Sequence, residues 1–325
     1  GSVQFSQSGG GDLVTGTVLA SDVVTLVNVA GDIALAGSVV SSDMVVISSG
    51  AVTDGVDGDL NIGNGADFTA DSIELGNDPA NAAKFGTLTF NSAGSVTISE
   101  DSSLDLVGVN TADSADLDST DSISDAGATS VDVTGALDVS GTSIDLGGGT
   151  FNSGTLTFNS AGSVSISEDS VMEVSGPSSA GDGLVLVGAD DVTLNASVTV
   201  SGDISVTAGT TSGGIDVNAK LNGSGAIVLD AADEITIHAD IDPTTVTLEA
   251  DDDITINASV VASDLITVSA GQDGTGGISL NVVGSLATTD AGSDVVMSAG
   301  SSSGDIDLVG TTTALDQVSI TAVAG

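Results

Sequence analysis

Asp252-Asp253-Ile254-Thr255-Ile256-Asn257-Ala258 is the stretch on which the reading of this 325-residue chain turns. Two acids lead into an apolar-x-apolar triplet, and Asn and Ala close it. The pattern recurs as Asp190-Asp191-Val192-Thr193-Leu194-Asn195-Ala196, as Gly213-Gly214-Ile215-Asp216-Val217-Asn218-Ala219, and as Asp233-Glu234-Ile235-Thr236-Ile237-His238-Ala239. Looser copies are Gly276-Gly277-Ile278-Ser279-Leu280-Asn281 and Gly304-Asp305-Ile306-Asp307-Leu308. First apolar positions are 192, 215, 235, 254, 278 and 306, with spacings of 23, 20, 19, 24 and 28 residues. Alternation over so few residues buries one face of a short strand. A recurrence of about 19–28 residues is the period of a solenoid, whose single coil cannot bury its own apolar face.

Between these motifs lie further alternating runs, among them Val198-Thr199-Val200, Thr245-Val246-Thr247-Leu248 and Leu265-Ile266-Thr267-Val268. Gly, Ser, Asn or Asp bounds each one. No segment sustains a period of 3.6, and β-branched residues dominate, so helix is disfavoured. The expected fold is all-β: a parallel, right-handed β-helix or β-solenoid, continuous over residues 1–325, with no catalytic domain. Equivalent strands would stack at ~4.8 Å per rung. A sandwich array is the runner-up, but it would want longer strands and aromatic core residues.

Upstream, Gly86 to Val96 reads GTLTFNSAGSV and Gly154 to Val164 reads the same, each continuing as (T/S)ISEDS, so 86–102 matches 154–170 at an offset of 68 residues. Three coils per duplicated block fit that offset.

Composition narrows the function. Lys and Arg together number 2 against 46 Asp and Glu, and the formal net charge is −44. Lys84 and Lys220 cannot supply the basic face that nucleic acid requires. An anionic membrane surface would repel the chain, and no stretch approaches the roughly 20 apolar residues of a membrane span. Without cysteine there is no disulfide framework, thiol nucleophile or thiolate metal site. Charge alone would favour disorder, but mean hydropathy is +0.38 with 40% hydrophobic residues, which favours a folded β protein. The chain begins at Gly1 without Met, and a processed protein or a piece of a longer one is expected.

Two sets of side chains stand out. Three residues past each first apolar position lie Asn195, Asn218, His238, Asn257 and Asn281, which stacked in register would form a structural ladder. His238, the only histidine, occupies a ladder slot rather than a catalytic one. The second set is acidic: Asp233, Glu234, Asp251, Asp252 and Asp253. Stacking would bring Glu234 and Asp253 to one rung spacing, a repulsion of ~3 kcal/mol at ~5 Å and an effective dielectric near 20. Outward splay, salt or divalent cations would offset it. Oxygen-rich turns suit Ca²⁺, which makes it the one cofactor to consider, beside a plain solvated acidic face.

The six phenylalanines are expected to face inward. Catalysis is not expected, since no acid pair breaks the repeat. Two stretches interrupt it, Asn77 to Lys84 and Asp105 to Ala128, read as a bulged turn and a looser coil.

The motif from 190 to 310 resembles the repeats of filamentous-haemagglutinin-like exoproteins and of other giant bacterial surface adhesins. That resemblance implies a right-handed parallel β-helix at the bacterial cell surface, acting as a fibrous adhesin or matrix component. No stretch of these 325 residues is read as the family's N-terminal secretion domain. The expected role is a structural or adhesive extracellular protein, a rod or filament subunit stacking head to tail through open solenoid ends. The alternative is a calcium-dependent matrix or adhesin stalk segment of a longer exoprotein. Expected partners are further copies or neighbouring repeats of the chain, and cell-surface glycans, with no nucleic acid and no membrane insertion. An ice-binding solenoid would need a regular T-x-T array, and the pairs Thr87/Thr89, Thr155/Thr157 and Thr245/Thr247 are too sporadic.

Overall fold

The structure is a computed structural model describing residues 1–77, 83–273, 276–281, 284–300 and 305–322. Parts of the 190–310 motif, including Gly304, and the middle of the Asn77 to Lys84 stretch lie outside the described residues. Forty strands and no helix occur among the described residues. They form a parallel β-solenoid divided into two compact units, Gly1–Thr155 and Leu156–Gly325.

In the second unit each coil has three faces, and all but one of the described coils carry a strand on each. The sequence motif supplies one face. Val192, Ile215, Ile235, Ile254, Ile278 and Ile306 pair successively in parallel register. A second face is built from Val164–Glu168, Leu184–Gly188, Ile204–Ala208, Ala226–Ala231 and Thr245–Ala250, and continues to Val318–Ala322. Its eight rungs stack through Val164, Leu184, Ile204, Ile227, Val246, Ile266, Val295 and Val318. The third face runs through Ser178–Ala180, Val198–Val200 and Leu221–Gly223, narrows to a single bridge residue, Ile241, and continues through Ser259–Ala262, Ser285–Thr288 and Thr311–Thr313.

Period-2 alternation decides which side chains enter the core. Ile235, Ile237, Ile254 and Ile256 are fully buried, while Thr236 and Thr255 between them point outward. Each such aliphatic side chain contributes ~1.5–3 kcal/mol when removed from water. Coils of unequal length keep this register because extra residues are taken up at corners. At one corner the chain reverses through Gly209, with φ of 66° and its Cα packed so closely on Ser212 that a Cβ would lie 1.7 Å from that carbonyl oxygen.

The first unit repeats the plan. Leu13, Ile33, Val52, Ile73, Val96, Ala115 and Leu137 form seven stacked rungs of one face. The stretch Asp105 to Ala128, expected to be looser, folds as regular strands, including Val109–Ala112, Ser114–Ser119 and Ser122–Asp125.

The duplication is visible as a fork. Strand Ala83–Ser92 pairs Leu88 with Leu106 but Asn91 with Thr111, so one strand is followed by two in the next coil. In the second unit Leu156 pairs with Val174 and Asn159 with Ser179. Every one of these positions is displaced by 68 residues from its counterpart.

Of the phenylalanines, Phe68, Phe90, Phe151 and Phe158 are fully buried and Phe85 nearly so. The Phe68 and Phe85 rings meet edge-on, 5.8 Å between centroids. Phe5 departs from the expectation: it occupies the inward column of Leu26 but stands on the first rung and is 43% exposed.

Candidate functional site

The conspicuous polar features lie on the outer surface along the corners of the 190–310 repeat. One is the ladder. Asn195 Nδ2 donates to Glu173 Oε1 at 2.9 Å, and Asn218 Nδ2 donates to Asn195 Oδ1 at 3.0 Å. Two coils on, Asn257 Nδ2 lies 3.4 Å from His238 Nδ1, and Asn281 donates to Asn257 Oδ1. The five side chains therefore stack on one outer corner, in two hydrogen-bonded runs rather than one. They bond to one another rather than to turn backbone, and Asn195, Asn218 and His238 are exposed. Exposed hydrogen bonds of this kind contribute ~0.5–1.5 kcal/mol each.

The acids occupy the corner just before the same face. Position by position, the residue preceding each strand is Asp191, Gly214, Glu234, Asp253, Gly277 and Asp305. Asp191 Oδ1 accepts the Gly214 N–H at 2.9 Å, and Asp253 Oδ1 accepts the Gly277 N–H at 2.7 Å. Each Asp thus holds the backbone of the next coil, and the missing Cβ of Gly214 and Gly277 lets the coil after that approach, where a Cβ would lie 3.0 Å from Glu234 O and 2.4 Å from Asp305 O. The device recurs at other corners: Asp32 accepts from Ala51 at 2.8 Å, Asp203 from Ala226 at 2.7 Å, and Asp125 from Gly147 and Gly148 at 3.0 and 2.9 Å. A carboxylate accepting a backbone N–H is worth ~1.5–3 kcal/mol. Sequence reading missed this use of the acids, although at Asp191 and Asp253 a Gly one coil later in the same register is its written signal.

Of the five acids singled out from the sequence, Asp233 and Glu234 line one cleft of ≈220 Å³ with Asp191, Thr193, Gly214 and Asp216. Asp253 lines another of ≈180 Å³ with Thr255, Gly277, Ser279, Asp305 and Asp307. Asp251, at the start of the same turn, lines a third opening of that corner, with Thr207, Gly209 and Asp230. Partial desolvation, a hydrogen bond with Asp252, and the charges of Asp252 and Asp191 raise the Asp233 carboxyl above the usual carboxylate range. The five thus lie on successive turns of one corner, Glu234 and Asp253 in register on adjacent coils, and open onto three separate clefts. Among the described residues no group of three or more His, Asp or Glu side chains is placed to hold a metal ion.

Glu100 is unlike every other acid with a resolved shift. It is 2% exposed, Oε1 accepts the Phe85 N–H at 2.9 Å and the Ser102 hydroxyl at 2.8 Å, and Oε2 is buried without a hydrogen-bond partner. The Phe85 amide needs this acceptor because the strand slips register between Phe85 and Thr87. Burial raises the Glu100 pKa to about 7, its two hydrogen bonds oppose the shift, and Asp105 and Asp101 add to it. Its counterpart in the duplication, Glu168, is also buried. Desolvation likewise raises Asp67, Asp116 and Asp138, the last two with like-charged neighbours including Asp118.

No helix among the described residues is long and apolar enough to cross a membrane. Comparisons with protein families, curated proteins and solved structures find no match to this chain.

Proposed function

We propose that this chain is a structural protein, a β-solenoid segment of an extracellular filament or giant surface adhesin, rather than an enzyme. A parallel β-solenoid is consistent with structural and adhesive repeat proteins, and the resemblance of the 190–310 repeats to filamentous-haemagglutinin-like exoproteins favours the bacterial cell surface.

The observation that carries the reading is the in-register stacking itself. Neighbouring coils meet through aliphatic columns inside and parallel backbone ladders at the rim, joined at several corners by Asp carboxylates and amide side chains. A fold built this way extends by addition of like coils. At Val3–Gln7 and Val318–Ala322 the inward columns are open, with Phe5 43%, Val318 41% and Ile320 47% exposed. Parallel strands supplied by further repeats of the chain, or by a second copy, would cover them. The lack of Arg and the two Lys residues leave trypsin-like proteases few cleavage sites, as suits exposure outside the cell.

Electron microscopy of the purified chain, with calcium and with chelator, tests the proposal. Unbranched fibres in both conditions are the expected result. Fibres lost on chelation would assign the acidic corners to calcium. Separate short particles in both conditions would refute end-to-end stacking and leave the stalk of a longer adhesin.

A further inference from the structure

We propose that Asn64–Gly65 is a self-modifying site, at which the Gly65 nitrogen cyclises onto the Asn64 side chain with Asp43 as its base. The sequence holds two Asn-Gly pairs, Asn64–Gly65 and Asn222–Gly223, and the fold treats them differently. Asn222 and Gly223 close the three-residue strand Leu221–Gly223, in regular register with Thr199 and Val200. Asn64 and Gly65 sit at a corner within strand Leu60–Ala70, where alternation breaks and Asn64 is exposed. There the Gly65 N–H donates to Asp43 Oδ1 at 3.3 Å, and Asn64 Nδ2 donates to Asp43 Oδ2 at 3.4 Å.

One carboxylate therefore touches both ends of a proton transfer: the nitrogen that must lose a proton and the amide that must gain one. The backbone on either side is held, since Asn64 N–H donates to Ser42 O at 2.7 Å and a Cβ on Gly86 would lie 2.5 Å from Asn64 O. The corner recurs 70 residues later without the amide. There Thr134 donates to Asp113 at 3.3 Å beneath Gly135, so the carboxylate is a standing feature and the Asn a local addition.

The chemistry balances without an outside reagent other than water. Gly65 N gives its proton to Asp43 and its electron pair to Asn64 Cγ, closing a five-membered succinimide. The Cγ–Nδ2 bond breaks, and the proton passed through Asp43 leaves with the amide as ammonia. Water then opens the ring at either carbonyl, giving aspartate or isoaspartate at position 64. Holding base, nucleophile and leaving group together is what accelerates such a step. Either product places a second carboxylate against Asp43, and the isoaspartate also lengthens the backbone at a packed corner.

The test is peptide mapping by mass spectrometry of the folded chain held at neutral pH and 37 °C, with isoaspartate quantified enzymatically. Asn64 should convert at least ~10-fold faster than Asn222, and Asp43→Asn should slow Asn64 by ~5-fold or more while leaving Asn222 unchanged. In urea the two pairs should react at similar rates and Asp43→Asn should have no effect. Asp43→Glu, which keeps the charge but moves the carboxylate, should also slow Asn64 and serves if Asp43→Asn fails to fold. Equal rates at Asn64 and Asn222 in the folded chain, or an Asn64 rate insensitive to substitution of Asp43, would overturn the proposal.

Discussion

Replacing Glu100 by Gln isolates the effect of one buried acid on the pH response of the first unit. Glu100 is 2% exposed and carries an unpaired Oε2, and its pKa is raised from 4.5 to about 7. Below the unfolded value the group is protonated in both states and contributes no pH dependence. Between 4.5 and 7 the folded state holds the proton and the unfolded state does not, so stability falls by ~1.4 kcal/mol per pH unit as pH rises. Above 7 the loss is complete, at ~3 kcal/mol relative to acid conditions. This is the reverse of a salt-bridged carboxylate, which gains stability over the same range. Gln keeps an acceptor for the Phe85 N–H but cannot ionise, so the variant lacks this contribution. Urea unfolding should be followed by far-ultraviolet circular dichroism, since the chain has no Trp or Tyr. Amide exchange over Ala83–Ser92 and Ser95–Glu100 localises the effect, because coils of a solenoid can open separately. The stability of Glu100→Gln relative to the parent should rise by ~3 kcal/mol from pH 4 to pH 8. A difference that stays constant across that range, or moves the other way, refutes the reasoning.

Other consequences are as direct. Phe158→Ala should cost ~3–5 kcal/mol in urea unfolding by opening a cavity, whereas Phe5→Ala at the exposed first rung should cost under ~1 kcal/mol. Asp253→Ala removes the acceptor of the Gly277 N–H and should cost ~1.5–3 kcal/mol, read as faster amide exchange at Gly277, while Asp253→Asn retains an acceptor and should exchange more slowly than the Ala variant. Gly181→Ala would place a Cβ 1.9 Å from the Ala161 carbonyl oxygen, and calorimetry should show a loss of ~1–3 kcal/mol.

The motif face was legible because its residues differ so sharply in polarity. Val192, Ile215, Ile235, Ile254, Ile278 and Ile306 were aligned by spacing alone, and the same six residues pair in the fold. The third face was harder to see. Ser178-Ser179-Ala180 and Leu221-Asn222-Gly223 are short and built from small or polar residues, and Ile241 is paired as a lone bridge. The fork could not be read either. It depends on Leu88 and Asn91 choosing partners in different strands, a long-range choice that local pattern does not encode. The duplication pointed to the right residues without saying what they do. Glu100 read as one more acid among 46, and only the neighbouring register slip explains why it is inside. The corner acids were weighed for repulsion, for metal and as a solvated face, and not as acceptors for a backbone N–H one coil away.

That coils of 19, 20, 23, 24 and 28 residues share one register has a mechanical side. Tension on either unit would load the ladder at its outermost coil first, where a few backbone bonds bear the whole force. Once that coil peels away it releases roughly 60–100 Å of slack, at ~3.3–3.6 Å per residue, against the ~4.8 Å its rung occupied. The coil beneath then bears the load with its own bonds intact. Such a chain lengthens by yielding one loop at a time, and unequal loops make the steps unequal.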